Sequence, residues 1–196
     1  MNKDDIIQKI KNHTPVLQPL TKRSAAVMVI LLNNENNSFE IVLTKRSETL
    51  SDYAGHYSLP GGMLEPQDKD LLHTAMREVE EELNVSKNNY EVIGQLDDMR
   101  DRYGNLVRVY VSLMNKADFI SQFRFSDAEV AEVYLFAIEK LTQLKDEPAL
   151  YAITRRRPSY AFTEGQVFVW GLTAAILMNL FYILSDILSD PSIFEL

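Results

Sequence analysis

The chain has 196 residues, a mass of 22.5 kDa and a formal net charge of −8, from 20 Lys+Arg against 28 Asp+Glu. This length suits one domain with added elements, the 46% hydrophobic and 24% charged composition is that of a folded chain, and the acidic balance disfavours broad binding to nucleic acid or anionic lipid. The absence of cysteine excludes disulfides, thiolate metal sites and thiol catalysis, and the three histidines (His13, His56, His73) show no zinc spacing.

In chain order, Met1–Lys11 reads as a short amphipathic helix with Ile6, Ile7 and Ile10 on one side, and residues 1–20 form this helix and a lead-in. No secretory signal pattern is present there, which together with the lack of cysteine points to the cytoplasm. Ser24–Leu32 is a continuous apolar run rich in β-branched residues, expected to be a buried strand. A polar turn, Asn33–Ser38, leads to a second strand, Phe39–Arg46, so the pair forms a hairpin. Glu48–Leu59 is irregular, and Pro60-Gly61-Gly62 permits a sharp backbone turn.

Asp68–Leu83 has helical periodicity, with Leu72, Ala75, Met76, Val79 and Leu83 as its apolar stripe and Asn84 as a left-handed C-cap. Tyr90–Asp98 and Leu106–Lys116 read as strands joined through the Asp101–Asn105 turn, Asp127–Val130 leads into a strand at Val133–Ile138, and Leu141–Leu144 starts a short helix. Thr154–Gly165 is a loop carrying Arg155-Arg156-Arg157, a triplet that can meet phosphate but more often forms a solvated surface. Residues 166–189 form a long apolar helix, whose uncharged stretch Val167–Leu184 lacks flanking Lys or Arg and is expected to be buried in the core, not to span a membrane. Central strands with helices on both sides predict an α/β chain, an α/β/α sandwich on a mixed β-sheet.

The most informative segment is Gly61–Val85. Glu78, Glu81 and Glu82 stand at i, i+3 and i+4, within about one quadrant of a helix and opposite its apolar stripe. Carboxylates this close repel each other, and a hard divalent cation such as Mg²⁺ or Mn²⁺ removes the conflict through oxygen ligation. Taken alone, the acidic run would more often be a solvated helix face. The surrounding residues change that reading. Gly62, five residues, Asp68, eight residues and then Arg77-Glu78-Val79-Glu80-Glu81-Glu82-Leu83-Asn84-Val85 resemble the Nudix hydrolase signature. Three positions depart from the usual pattern: Asp68 stands for a glutamate, the spacer is one residue longer, and Asn84 stands for a glycine.

The resemblance implies a Nudix-like fold and a pyrophosphohydrolase, with Glu78, Glu81 and Glu82 as metal ligands and Arg77 orienting the glutamates. It implies a general base on the helix or in a later loop, which leaves Glu81 and Glu129 as candidates. Glu129 and Glu132 are as readily read as solvated. Leu43–Gly62 resembles the segment that marks the coenzyme A pyrophosphatase subfamily. Thr44, Arg46, Ser47, Gly55, Pro60, Gly61 and Gly62 match, and Ser51 and Leu59 depart from an arginine and a phenylalanine. The C-terminal Trp170-Gly171-Leu172-Thr173-Ala174 extends this likeness.

The expected substrate is coenzyme A or a derivative, cleaved to 3′,5′-ADP and 4′-phosphopantetheine; the alternatives are another nucleoside-diphosphate derivative or a silent nucleotide-binding module. Lys45, Arg46, Ser47, Gly61 and Gly62 are the candidate substrate-binding residues, although strand alternation sends Lys45 and Arg46 to opposite faces. Tyr53, Tyr57 and Tyr160 are candidates to stack on adenine, and as readily packing residues. The apolar C-terminal helix leaves room for a homodimer.

Overall fold

The computed structural model describes residues 3–21, 23–34, 36, 38–48, 54–125, 129–147, 150 and 159–188. Of the residues weighed above, Ser51, Tyr53, Asp127 and Arg155–Arg157 lie outside the described ones.

The first helix, α1 (Lys3–Asn12), buries Ile6 and Ile10, one turn apart. Strand β1 (Ser24–Asn33) is the spine of the molecule. It runs parallel to β7 (Leu106–Asn115) along its whole length, from Ser24 opposite Leu106 to Asn33 opposite Asn115. Its other edge is shared: β2 (Phe39–Arg46) pairs antiparallel with its C-terminal part and β4 (Gly61–Met63) with its N-terminal part. β2 also pairs with the short β3 (Tyr57–Ser58) and with β8 (Val130–Ala137). β5 (Glu91–Gln95) and β6 (Met99–Arg100) pair with β7. One parallel pair among antiparallel ones makes the sheet mixed.

β1 is apolar without alternation because both faces of the sheet are covered. On one face Val29, Leu31, Ile41, Leu43 and Val111 pack with α1 and with α4 (Gly171–Leu188). On the other, Met28, Ile30, Leu32, Val42 and Tyr110 pack with α2 (Leu71–Leu83) and with Phe119 of α3 (Lys116–Gln122). The expected α/β/α sandwich is therefore the observed one. The lead-in after α1 is held by two neighbouring carboxylates. Asp97 accepts from the Val16 N–H at 2.8 Å and from Asn179 of α4 at 3.0 Å, while Asp98 accepts from the Gln18 N–H at 2.7 Å and from Arg108 at 2.8 Å.

Four expectations need correction. The C-terminal helix begins at Gly171, not at residue 166. Val167–Trp170 is instead a strand, β11, paired with β10 (Tyr160–Glu164), which pairs in turn with β9 (Lys145–Asp146). Gly171, at φ 63, supplies the left-handed turn that separates strand from helix. The acidic helix starts at Leu71, because Asp70 adopts an extended conformation and caps it. The strand expected over Leu106–Lys116 ends at Asn115, which caps a helix over Lys116–Gln122. The segment expected at Leu141–Leu144 is a 3₁₀ helix over Ile138–Gln143. By length and composition α4 is one helix that could cross a membrane, but Ala174, Ile176, Leu177, Met178, Leu180, Leu184 and Leu188 are buried within this fold.

Candidate active site

The geometry of the site follows from how α2 is fixed. Asp70 accepts the His73 N–H at 2.8 Å, satisfying one of the helix's open N-terminal donors. At the other end Asn84 takes the left-handed conformation (φ 55, ψ 30), and its N–H reaches the Glu80 carbonyl at 2.9 Å. Between these caps Leu71, Ala75, Val79 and Leu83 lock one side of the helix to the sheet. The helix can then rotate very little, and Arg77, Glu78, Glu81 and Glu82 are set along the edge facing β4 and the end of β2.

Arg77 is the hub. Its Nε and Nη2 both donate to Asp68 at 3.1 Å, Nη1 donates to Glu78 at 2.9 Å and to Glu81 at 2.8 Å, and Nη2 also reaches the Met63 carbonyl at 3.1 Å. A planar five-donor guanidinium is the side chain that can hold so many acceptors at once. The Asp68 side chain is only 4% exposed, and its hydrogen bonds from Arg77 hold its carboxyl below the usual range. The sequence noted Asp68 as a departure and gave it no role; in space it is the fork's main partner.

Glu82 is the unusual carboxylate. It is 5% exposed, and it accepts from Thr44 Oγ1 at 3.2 Å and from the Gly61 N–H at 3.4 Å. Burial, opposed by the Gly61 hydrogen bond and reinforced by the Glu78 charge, pushes it up to about 7. Glu78 is also raised, first by burial, against the pull of Arg77. The Glu81 side chain, 53% exposed, reaches toward solvent.

The glycine turn is there for lack of space. A Cβ on Gly61 would lie 2.3 Å from the Ala26 carbonyl oxygen, and one on Gly62 would lie 2.1 Å from Glu78 Oε1. Arg46 shares the Thr44 face of β2 and its charge acts on Glu82. Lys45 alternates to the other face, opposite Tyr57 and Glu132 across the sheet, and so is not brought to the carboxylates. Ser47 is buried at the strand end, its N–H bonded to the Glu129 carbonyl at 2.8 Å. Glu129 is exposed, yet its charge helps to raise Glu78. His73 is bound to the capping Asp70, and Tyr57 is a packing residue, 6% exposed and edge-on to Tyr134.

The donor set fits a hard divalent cation in kind. Three carboxylates lie on one helix edge, two of them shifted upward by burial, and Gly62 leaves the space beside Glu78 that a Cβ would fill. They do not form a finished cage: among the described residues no three His, Asp or Glu side chains are arranged to hold an ion. Arg77 engages one oxygen each of Glu78 and Glu81. Each of those carboxylates has a second oxygen that Arg77 does not take.

Residues 22–156 match the NUDIX domain. The uncharacterized Nudix hydrolase NudL of Photorhabdus laumondii is 32% identical over 160 residues, covering 81% of this chain and 83% of that protein. The NudL protein of Pectobacterium atrosepticum is 32% identical over 179 residues, 88% of each. A MutT/nudix family protein from Enterococcus faecalis has a similar structure, with a TM-score of 0.54 at 16% identity, covering 95% of this chain and 70% of that one. An Ap4A hydrolase from C. elegans gives a TM-score of 0.50 at 19% identity, covering 68% of this chain and 93% of that one. At those identities the structural likeness speaks for the fold. The chain belongs to the Nudix hydrolase family, pyrophosphohydrolases that act on phosphoanhydride bonds.

Proposed function

We propose that this chain hydrolyses the pyrophosphate of coenzyme A, or of a derivative, to 3′,5′-ADP and 4′-phosphopantetheine, using Mg²⁺ or Mn²⁺ held by Glu78, Glu81 and Glu82. One observation carries the substrate reading. Thr44 and Gly61 lie at the two ends of the segment that resembles the coenzyme A subfamily, and both donate to Glu82. The segment that would select the substrate is thus hydrogen-bonded to a proposed metal ligand.

A divalent cation bound there would offset charge on a phosphoryl oxygen and make water a better nucleophile near neutral pH. The chain's own residues do the rest. Arg77 restrains Glu78 and Glu81, so that neither has to be ordered when substrate arrives. Thr44 and Gly61 orient Glu82. Arg46, on the same face, presents a guanidinium suited to a phosphate. The proton of the attacking water would go to a carboxylate, Glu81 where it does not hold the cation or Glu129 of the later loop.

The test is turnover of coenzyme A, acetyl-coenzyme A, ADP-ribose, diadenosine polyphosphate and NADH with Mg²⁺ or Mn²⁺, with products identified by mass. Preferential release of 3′,5′-ADP is the expected result. Preferential cleavage of ADP-ribose or a dinucleotide, with coenzyme A left intact, would overturn the substrate reading and keep the hydrolase.

A further inference from the structure

A second cavity lies beside the segment just described and takes no part in the carboxylate chemistry. It has a volume of about 280 Å³ and is lined by Gly55, His56, Tyr57, Leu150, Gln166, Phe168 and Trp170. Its floor is aromatic for a simple reason. β11 alternates, with Val167 and Val169 buried in the core and Phe168 and Trp170 facing the other way. The two rings lie within 18° of parallel with centroids 6.4 Å apart, and His56 meets Trp170 edge-on at 5.2 Å. Phe168 is 40% exposed among the described residues, so its ring is open to a ligand on that side.

Size and position narrow the occupant. Small-ligand sites run from about 300 to 1,000 Å³, so this cavity suits one part of a ligand and not a whole cofactor. Tyr57 lines it, and Gly61, four residues on, donates to Glu82. Four residues of chain span at most about 14 Å. Tyr57 packs on the α4 side of the sheet and β3 ends the strand order, so a nucleotide with one end in the cavity has to pass the β3 edge for its phosphates to meet the carboxylates. Burial first, then the nearby Arg102 charge, favours neutral His56, with Glu48 opposing. A neutral imidazole beside two parallel rings suits a flat, uncharged ring system.

We propose that the Phe168–Trp170 face binds the purine base of the nucleotide substrate by stacking, and that Phe168 is a specificity residue for the nucleotide end. The inference rests on the nucleotide reading above, but it can be tested without turnover. Trp170 is the only tryptophan in the sequence, so its fluorescence reports on this cavity alone. The full chain, kept in EDTA, is titrated with 3′,5′-ADP, AMP, ribose 5-phosphate and pantetheine.

Saturable change in Trp170 emission with 3′,5′-ADP and AMP is expected, and none with ribose 5-phosphate or pantetheine. Phe168→Ala should weaken AMP binding about 5- to 100-fold, the range for loss of one base–aromatic stack, and Phe168→Tyr should restore it. Thermal melts establish that both variants fold. The proposal is overturned by a saturable response to pantetheine but not to AMP, by an equal response to ribose 5-phosphate, by no response at all, or by unchanged affinity in folded Phe168→Ala. Saturable AMP binding in a protein that hydrolyses no anhydride would support the cavity assignment while defeating the hydrolytic reading. The two can thus fail separately.

Discussion

α2 and α4 cover opposite faces of one sheet, and they differ in where their residues find partners. α2 has 13 residues, and Arg77, Glu78, Glu81 and Glu82 on it each make a polar contact to a named partner. α4 has 18 residues and no charge before Asp186, which pairs with Lys9 of α1. Its other links to the body are sparse, chiefly Asn179 to Asp97 and Thr173 to the Tyr57 carbonyl. α4 holds the fold by burial. α2 gathers carboxylates that the fold alone has no use for. Removing a buried carboxylate charge from α2 should therefore raise stability while lowering turnover, and truncating a buried side chain of α4 should lower stability while leaving turnover nearly unchanged.

Glu82→Gln is the sharpest case. Loss of a metal-ligating charge is expected to lower kcat/KM by about 10²- to 10⁴-fold. Without metal, the same change should stabilise the protein. Burial raises the folded-state value from 4.5 to about 7, so the folded state holds a proton that the unfolded state has released across that window. Stability of the metal-free wild type therefore falls as pH rises from about 4.5 to 7, and the cost is full above it, on the order of 3 kcal/mol. Urea melts in EDTA at pH 5 and pH 8 should show Glu82→Gln more stable at pH 8, with the gap shrinking at pH 5. A variant less stable than wild type at pH 8 would break the comparison at its stronger end.

Leu177→Ala tests the other helix. Leu177 is fully buried under the sheet, and truncation should cost about 2–5 kcal/mol. Below its melting temperature the variant should keep kcat/KM within about twofold, since Leu177 belongs to the core on the sheet face away from α2. A large loss of kcat in a folded Leu177→Ala protein would mean that α4 does more than hold the sheet.

Arg77→Lys comes next. Lysine keeps the charge but cannot bridge Asp68, Glu78, Glu81 and the Met63 carbonyl together. We expect a 10- to 100-fold loss of kcat/KM, typical of lost support for metal ligands, and about 1–3 kcal/mol of destabilisation from half-paired Asp68. The pH dependence distinguishes this from a general loosening. The folded-state value of Asp68 is depressed, so its contribution is present above the unfolded value near 4 and is lost as pH falls through the folded one. Wild-type stability should fall on that acid limb more steeply than that of Arg77→Lys.

The two helices were also unequally legible in the sequence. In α2 the apolar period, the carboxylate spacing and the Asn84 cap were all readable, because each is set by neighbours within one or two turns. The Asp68–Arg77 fork and the Thr44 and Gly61 bonds to Glu82 were not. They join parts of the chain that only the sheet brings together. Before α4, the apolar run Val167–Trp170 has no period that separates strand from helix over four residues, and pairing with β10 decided it. The aromatic face of the second cavity was hidden for the same reason, since alternation of Phe168 and Trp170 has meaning only in a strand. α3 escaped notice because it is seven residues long and buries Phe119 alone.

The smallest effects concern the two left-handed residues that bound these helices. Asn84 ends α2 at φ 55, and Gly171 opens α4 at φ 63. The same backbone region is filled once by the residue type that tolerates it and once by the type that has no penalty. A Cβ on Gly171 would meet nothing within 4 Å, so any cost of Gly171→Ala is conformational, about 1–2 kcal/mol. Asn84→Gly should be neutral or stabilising by a few tenths, about 0.5 kcal/mol at most, because it relieves the strain at the price of a freer unfolded chain. Thermal melts of the two variants should therefore move apart, with turnover unchanged in both. Equal shifts would mean that Asn84 makes up its strain through its side chain, and that the end of α2 nearest the carboxylates is held more firmly than its backbone alone requires.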